Sequence, residues 1–308
     1  MNKILPLLRR EWLQYRFGWA LMIAVPLGIA LLLLSFGQIQ LGGDEAEAVN
    51  SQLRPLQLAS LLTVASMAGS AATLFLIACF SSIIIIAGMA RRDHSDRSVE
   101  FWLSLPATHS ASLAAPLVVH LLLVPAAALL AGLLGGLLVS LVLVTRVVGI
   151  GEWFALPWLD LLPAILALAA RLLAGLPLAV LWMSPLILLV VLLSAWFRSW
   201  SWVILGVGIG LGSQLLNRLF GQPLLSDITV GLLKGAARSL LHTGRELRMQ
   251  GTDSPEQALH NLAGWALHDF SLALRDLPSP LLLGGLVFAG GCFYMLVRWR
   301  ERGAGAAS

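Results

Sequence analysis

Six stretches of this chain are almost wholly apolar, and its polar residues gather in the gaps between them. The stretches run about Phe17 to Phe36, Leu58 to Ala90, Leu113 to Val144, Leu172 to Phe197, Trp202 to Phe220 and Leu281 to Val297. A run of about 20 apolar residues, wound as a helix, crosses the hydrocarbon core of a bilayer. The pattern therefore predicts six transmembrane helices. The second run is long enough to tilt or to project beyond the bilayer. Pro157 to Gly175 is less regular, with Asp160, Pro163 and Arg171 set in apolar sequence, and reads as a re-entrant or interfacial helix leading into the fourth span.

Composition agrees with this class. Of 308 residues, 58% are hydrophobic and 12% charged, with mean hydropathy +0.86. Soluble domains carry roughly twice that charge. The expected fold class is all-α: a polytopic integral membrane protein. Cys79 and Cys292 both fall inside apolar runs, where a disulfide is not expected.

The charges that remain are placed unevenly. Lys3, Arg9, Arg10 and Arg16 precede the first span, and Arg91, Arg92 and Arg97 follow the second. Arg198 lies between the fourth and fifth, and Arg298, Arg300 and Arg302 follow the sixth. Short loops of the other set mix Arg54 with Asp44, Glu45 and Glu47, and Arg146 with Glu152. The positive-inside rule then puts both termini in the cytoplasm. Residues 1–16 place Ile4, Leu8, Trp12 and Tyr15 on one helical face, which predicts an interfacial helix with its cations near anionic lipid. The alternative is an ordinary basic flank of the first span.

Residues 221–279 form the one long loop. Ile228, Leu232, Leu233, Ala236, Leu240 and Leu241 make one apolar stripe, and Leu259, Leu262, Ala266, Phe270 and Leu274 make a second. Between them, Ser254 and Gln257 form a capping-box pattern with Pro255 at the first helical position. Two amphipathic extracytoplasmic helices are expected. They could lie on the lipid surface, cap an exit path or bind an external partner.

Candidate chemistry is sparse. No G-x-x-x-x-G-K-[ST] run is present, so the chain has no P-loop for ATP. Gly206, Gly208, Gly210 and Gly212 lie inside an apolar span and suit close helix packing, within the subunit or across a dimer. The six histidines show no metal-ligand spacing. His120 alone sits well inside apolar sequence, either packed neutral against the bundle or acting as a proton relay. Asp160 and Arg171 could share a helical face. Ser66, Ser70 and Thr73 could line a translocation path, or could hydrogen-bond to their own or neighbouring helices.

One segment is charge-dense: Arg91 to His109, between the second and third spans. Ser95 or Asp96 can cap a short helix there, and Pro106 ends it. The run Asp96-Arg97-Ser98-Val99-Glu100-Phe101-Trp102-Leu103-Ser104-Leu105-Pro106, with a basic amphipathic N-terminus and six spans, resembles the membrane subunits of ABC-2-type ABC transporters. That family often continues Leu-Pro with Ser and a basic residue, where this chain has Ala107, Thr108 and His109.

The resemblance implies a permease subunit of an ATP-driven exporter, with residues 91–110 as a cytoplasmic coupling helix docking on a separate ATPase. Arg97 and Glu100 would orient that contact, and Phe101, Trp102 and Leu103 would anchor it. A second contact could come from Arg198 to Ser201. The expected partners are the ABC ATPase, a second permease copy or homologue, and membrane lipid, without nucleic acid. No catalytic residue or cofactor is expected in the chain, ATP being bound by the partner. The implied location is a bacterial-type cytoplasmic (inner) membrane. The domain reading is 1–16 interfacial helix, 17–220 five spans with the coupling segment, 221–279 outer loop, and 280–308 last span and tail. Two alternatives stay open. One is an ABC-energised machine transmitting force to an external partner. The other is a secondary transporter, although few intramembrane acids are apparent.

Overall fold

The computed structural model describes residues 4–37, 54–88, 109–197, 200–242 and 255–305, and among these it is helical with no strand. The helices are α1 (Ile4–Phe36), α2 (Pro55–Ala87), α3 (His109–Val118), α4 (Val124–Val147), α5 (Ile150–Phe154), α6 (Trp158–Phe197), α7 (Ser201–Phe220), α8 (Leu224–Leu240), α9 (Pro255–Arg275) and α10 (Pro280–Gly305). A single π-helical turn, Val119–Leu123, joins α3 to α4. Counting α3 to α4 as one rod, six helices are long and apolar enough to cross a membrane. This makes a multi-pass membrane protein the plain reading of the fold.

Two expected boundaries are absent. Residues 4–16 continue into the first span as one 33-residue helix. Their inward side packs on the bundle, with Leu8 against the cluster of Leu74, Ala78, Val119 and Val124. Likewise, Pro157 to Gly175 does not form a separate element beyond its first residue: α6 runs 40 residues, through Pro163, Pro177 and Pro185. At 1.5 Å per residue, α6 is about 60 Å long, twice a hydrocarbon core, so it must project beyond one.

The two ends of the bundle are defined by separate clusters. At one end Ile86, Leu113, Val191, Ala195 and Leu296 pack together, joining the end of α2, the start of α3, the end of α6 and the end of α10. At the other, Ala59, Val144, Leu156 and Leu161 meet beneath Trp153 and Trp158. There Arg146 donates to the carbonyls of Ser35 and Gly37, closing the C-terminus of α1.

Glycine sets the tightest seam, though in a different helix from the one the sequence suggests. A Cβ at Gly132 would strike the Ala71 backbone, and one at Gly136 the Met67 backbone, so α2 and α4 touch nearly main chain to main chain. This is the small-xxx-small device of membrane helices. By contrast, Gly206, Gly208 and Gly210 of α7 have no atom within 4 Å of a built Cβ. Among the described residues these three make no close packing, whereas a Cβ at Gly212 would meet the Leu225 side chain at 3.0 Å.

The 221–279 region contains the two expected helices, α8 and α9, although Ser254 of the capping pattern lies outside the described residues. Their placement differs from a surface lid. Trp182 packs on Gly235 and Leu281 on Gly231, while Leu232 is buried with Ala179, Trp182 and Leu282. Thus α8 lies alongside the apolar half of α6, antiparallel to it, as part of the bundle.

Candidate functional site

A cavity of about 430 Å³ lies between α2, the π turn, α6, α7 and α8. Its walls are apolar except at Cys79, Ser82, His120 and Trp202. Both cysteines of the chain are free thiols. No charged side chain of the described residues lines it. Two buried pairs of ionisable groups lie in the same bundle, and of their four residues His120 alone lines the cavity.

The first pair is Glu11 with His120. Glu11 Oε2 lies 3.4 Å from His120 Nε2, and the two side chains are 1% and 0% exposed. Tyr15 and Trp19, one and two turns along α1 from Glu11, meet the imidazole edge-on, with ring centroids 5.1 and 5.8 Å away. Both ring nitrogens of His120 are buried, and neither makes a hydrogen bond among the described residues. The ring sits on the π turn, and proline explains that turn. In a π pattern each N–H reaches back five residues, and Val124 N–H does bond to Val119 O. The carbonyl of His120 would take the N–H of Pro125, which has none. The Ser82 hydroxyl fills that gap, donating to His120 O at 2.6 Å.

The second pair is Arg171 with Asp269. Arg171 Nη2 and Nε reach Asp269 Oδ2 at 2.7 and 2.8 Å, both side chains fully buried. Arg171 Nη1 also donates to Ser239 O at 2.8 Å, and the His242 N–H donates to Asp269 Oδ2 at 3.1 Å. Gly175, one turn on, leaves no room for a Cβ between Ser239 O and the Arg171 guanidinium. Phe270 lies under the guanidinium. One buried pair therefore ties α6, α8 and α9 together. Nearby, His242 Nε2 and Asp276 Oδ2 are 3.1 Å apart.

Several sequence expectations are redistributed. Ser66 and Ser70 sit at the α2–α4 seam, where Ser66 Oγ bonds to Thr63 O at 2.9 Å and approaches Gly136 O at 3.4 Å. Thr73 is exposed. None of the three lines this cavity. Asp160 is exposed, and the acid facing Arg171 is Asp269. Glu11, near the start of a helix long enough to span, is buried as well. Asp269 carried a readable signal: it falls on the apolar stripe, between Ala266 and Ala273. Arg97, Glu100, Phe101, Trp102 and Leu103 lie outside the described residues, as does Arg198. No family model, no curated protein and no solved structure matches the chain.

Proposed function

We propose that this chain is the permease subunit of an ATP-driven ABC exporter, coupled to a separate ATPase and pairing with a second permease copy or homologue in a cytoplasmic membrane. The observation that carries this reading is where the charged segment leaves and re-enters the bundle. Gly88 follows Ile86, and His109 precedes Leu113; both residues belong to the buried cluster that also holds Leu296. The described flanks of the segment thus lie at the end of the bundle that Leu296 of α10 also reaches. Glu11, packed by His120 near that end, brings the arginines of the N-terminus to it as well. Gathered cations mark the cytoplasmic side. Residues 91–110 then face an ATPase, and α9 stands on the opposite side.

The buried Glu11–His120 pair favours a second reading, a proton-driven secondary transporter, because intramembrane acid–histidine pairs suit proton relays. A mild-detergent pull-down of tagged protein from native membranes, with mass spectrometry, separates the two. A stoichiometric ATPase carrying a P-loop supports the permease reading. A well-folded bait that brings none overturns it in favour of the second.

A further inference from the structure

The outward face of α1 carries two cations with no counter-charge beside them. Arg9 and Arg16 stand two helical turns apart on nearly the same line of α1, about 10 Å along its axis. Both are exposed, and neither makes an ion pair with a described residue. Trp12 and Leu13 lie between them, 58% and 51% exposed. The Arg16 guanidinium rests over the Phe17 ring, 4.8 Å from its centroid. Glu11 is on the opposite face, buried against His120, so its carboxylate faces the bundle and not these arginines.

The depth of this patch follows from the rest of the helix. From Phe17 to Phe36, α1 has no charged residue. That run of about 20 residues rises about 30 Å, the thickness of a hydrocarbon core. None of the most apolar stretch of α1 is buried in the bundle, and Phe17 and Leu21 are exposed on it. This side of α1 therefore meets lipid, and Arg16 stands at the level of the headgroups. Arg9 lies about 10 Å farther from the hydrocarbon, and long arginine side chains lean along a helix to reach their polar layer. Trp12, between the two, has the amphipathic ring of an interfacial anchor.

We propose that Arg9, Trp12 and Arg16 bind an anionic phospholipid, its phosphate held by the two guanidiniums and its acyl chains laid along Phe17 and Leu21. Charge selects this occupant. A second copy packed here about a two-fold axis would set the cationic face against itself. The exposed α7 of another copy offers no counter-charge, since Ser201–Phe220 has no Asp or Glu. A zwitterionic lipid brings its own cation with its phosphate and so neutralises the pair less well. Such a site serves an ATPase-driven or a proton-driven chain alike.

The test uses the full-length protein in mild detergent, titrated with phosphatidylglycerol or phosphatidylcholine and read by native mass spectrometry, which counts bound lipids. Saturable binding of phosphatidylglycerol is expected, at least about tenfold tighter than that of phosphatidylcholine. The double variant Arg9→Gln, Arg16→Gln should weaken phosphatidylglycerol binding about thirtyfold and leave phosphatidylcholine binding unchanged. Arg218→Gln, which removes an exposed arginine from the last turn of α7, should change neither. A photoreactive phosphatidylglycerol should cross-link the unaltered protein within residues 9–21, so a folding defect in the double variant does not leave the question open. Equal binding of the two lipids, undiminished phosphatidylglycerol binding by the folded double variant, or cross-links confined to other helices would overturn the proposal. A dimer that falls apart in the double variant while lipid binding persists would assign the face to a second copy instead. None of these outcomes depends on whether an ATPase co-purifies.

Discussion

The Ser82 hydroxyl donates to the main-chain carbonyl of His120, and Pro125 is the reason that carbonyl is free. In lipid no water can satisfy a broken helical bond, so a side chain from another helix must. Here the repair also holds the π turn that carries the His120 ring toward Glu11.

Ser82→Ala should therefore leave a buried acceptor unmade, at a cost of about 1–3 kcal/mol. Pro125→Ala restores an N–H two positions into α4. In that background the Ser82→Ala cost should shrink by about half or more. Thermal unfolding of the four proteins in one detergent forms the cycle; an undiminished cost would mean that Ser82 serves some other acceptor.

The Arg171–Asp269 pair predicts a different pattern. Either Arg171→Met or Asp269→Leu alone should destabilise by about 3–5 kcal/mol, since each strands a buried charge. The double substitution should recover most of that loss. Protease sensitivity in residues 243–254, between α8 and α9, is the readout: cleavage should rise in each single variant and fall back in the double one. Equal cleavage in all four proteins would show that α8 and α9 are held without the pair.

Glycine substitutions should differ between helices. Gly136→Val drives a side chain into the Met67 backbone and should cost about 1–3 kcal/mol or more. Gly208→Ala meets nothing and should be neutral or stabilising by up to about 1 kcal/mol through helix propensity. Melting temperatures compare the two directly, and a large loss at Gly208 would point to a packing partner on that face.

For the proposed coupling role, the double variant Glu100→Ala, Trp102→Ala should insert normally yet lose most of the co-purifying ATPase. Aromatic anchors commonly dominate such contacts. Full retention of the ATPase by a correctly inserted variant would remove residues 91–110 from the interface.

Much of the architecture was legible without coordinates. Run length alone separates a span from a soluble core helix, because the bilayer imposes a thickness and lipid forbids unpaired backbone. That is why six spans and the two helices of the 221–279 region could be placed from hydropathy and stripes. Their junctions were less readable. Polar residues in 1–16 and in Pro157 to Gly175 suggested breaks, whereas Glu11 is buried against His120 and Arg171 is paired with Asp269 inside continuous helices.

The sequence by itself determined the class of protein, the number of spans, the clustering of cations and the lack of a P-loop, since these depend on composition and local period. Only the tertiary structure decided which glycines are contacts, which serines face the cavity and which ions are paired. Glu11 and His120, or Arg171 and Asp269, lie in different helices far apart in the chain. Helical periodicity says which residues share a face, but the rotation and neighbours of that face are chosen by packing across the whole bundle.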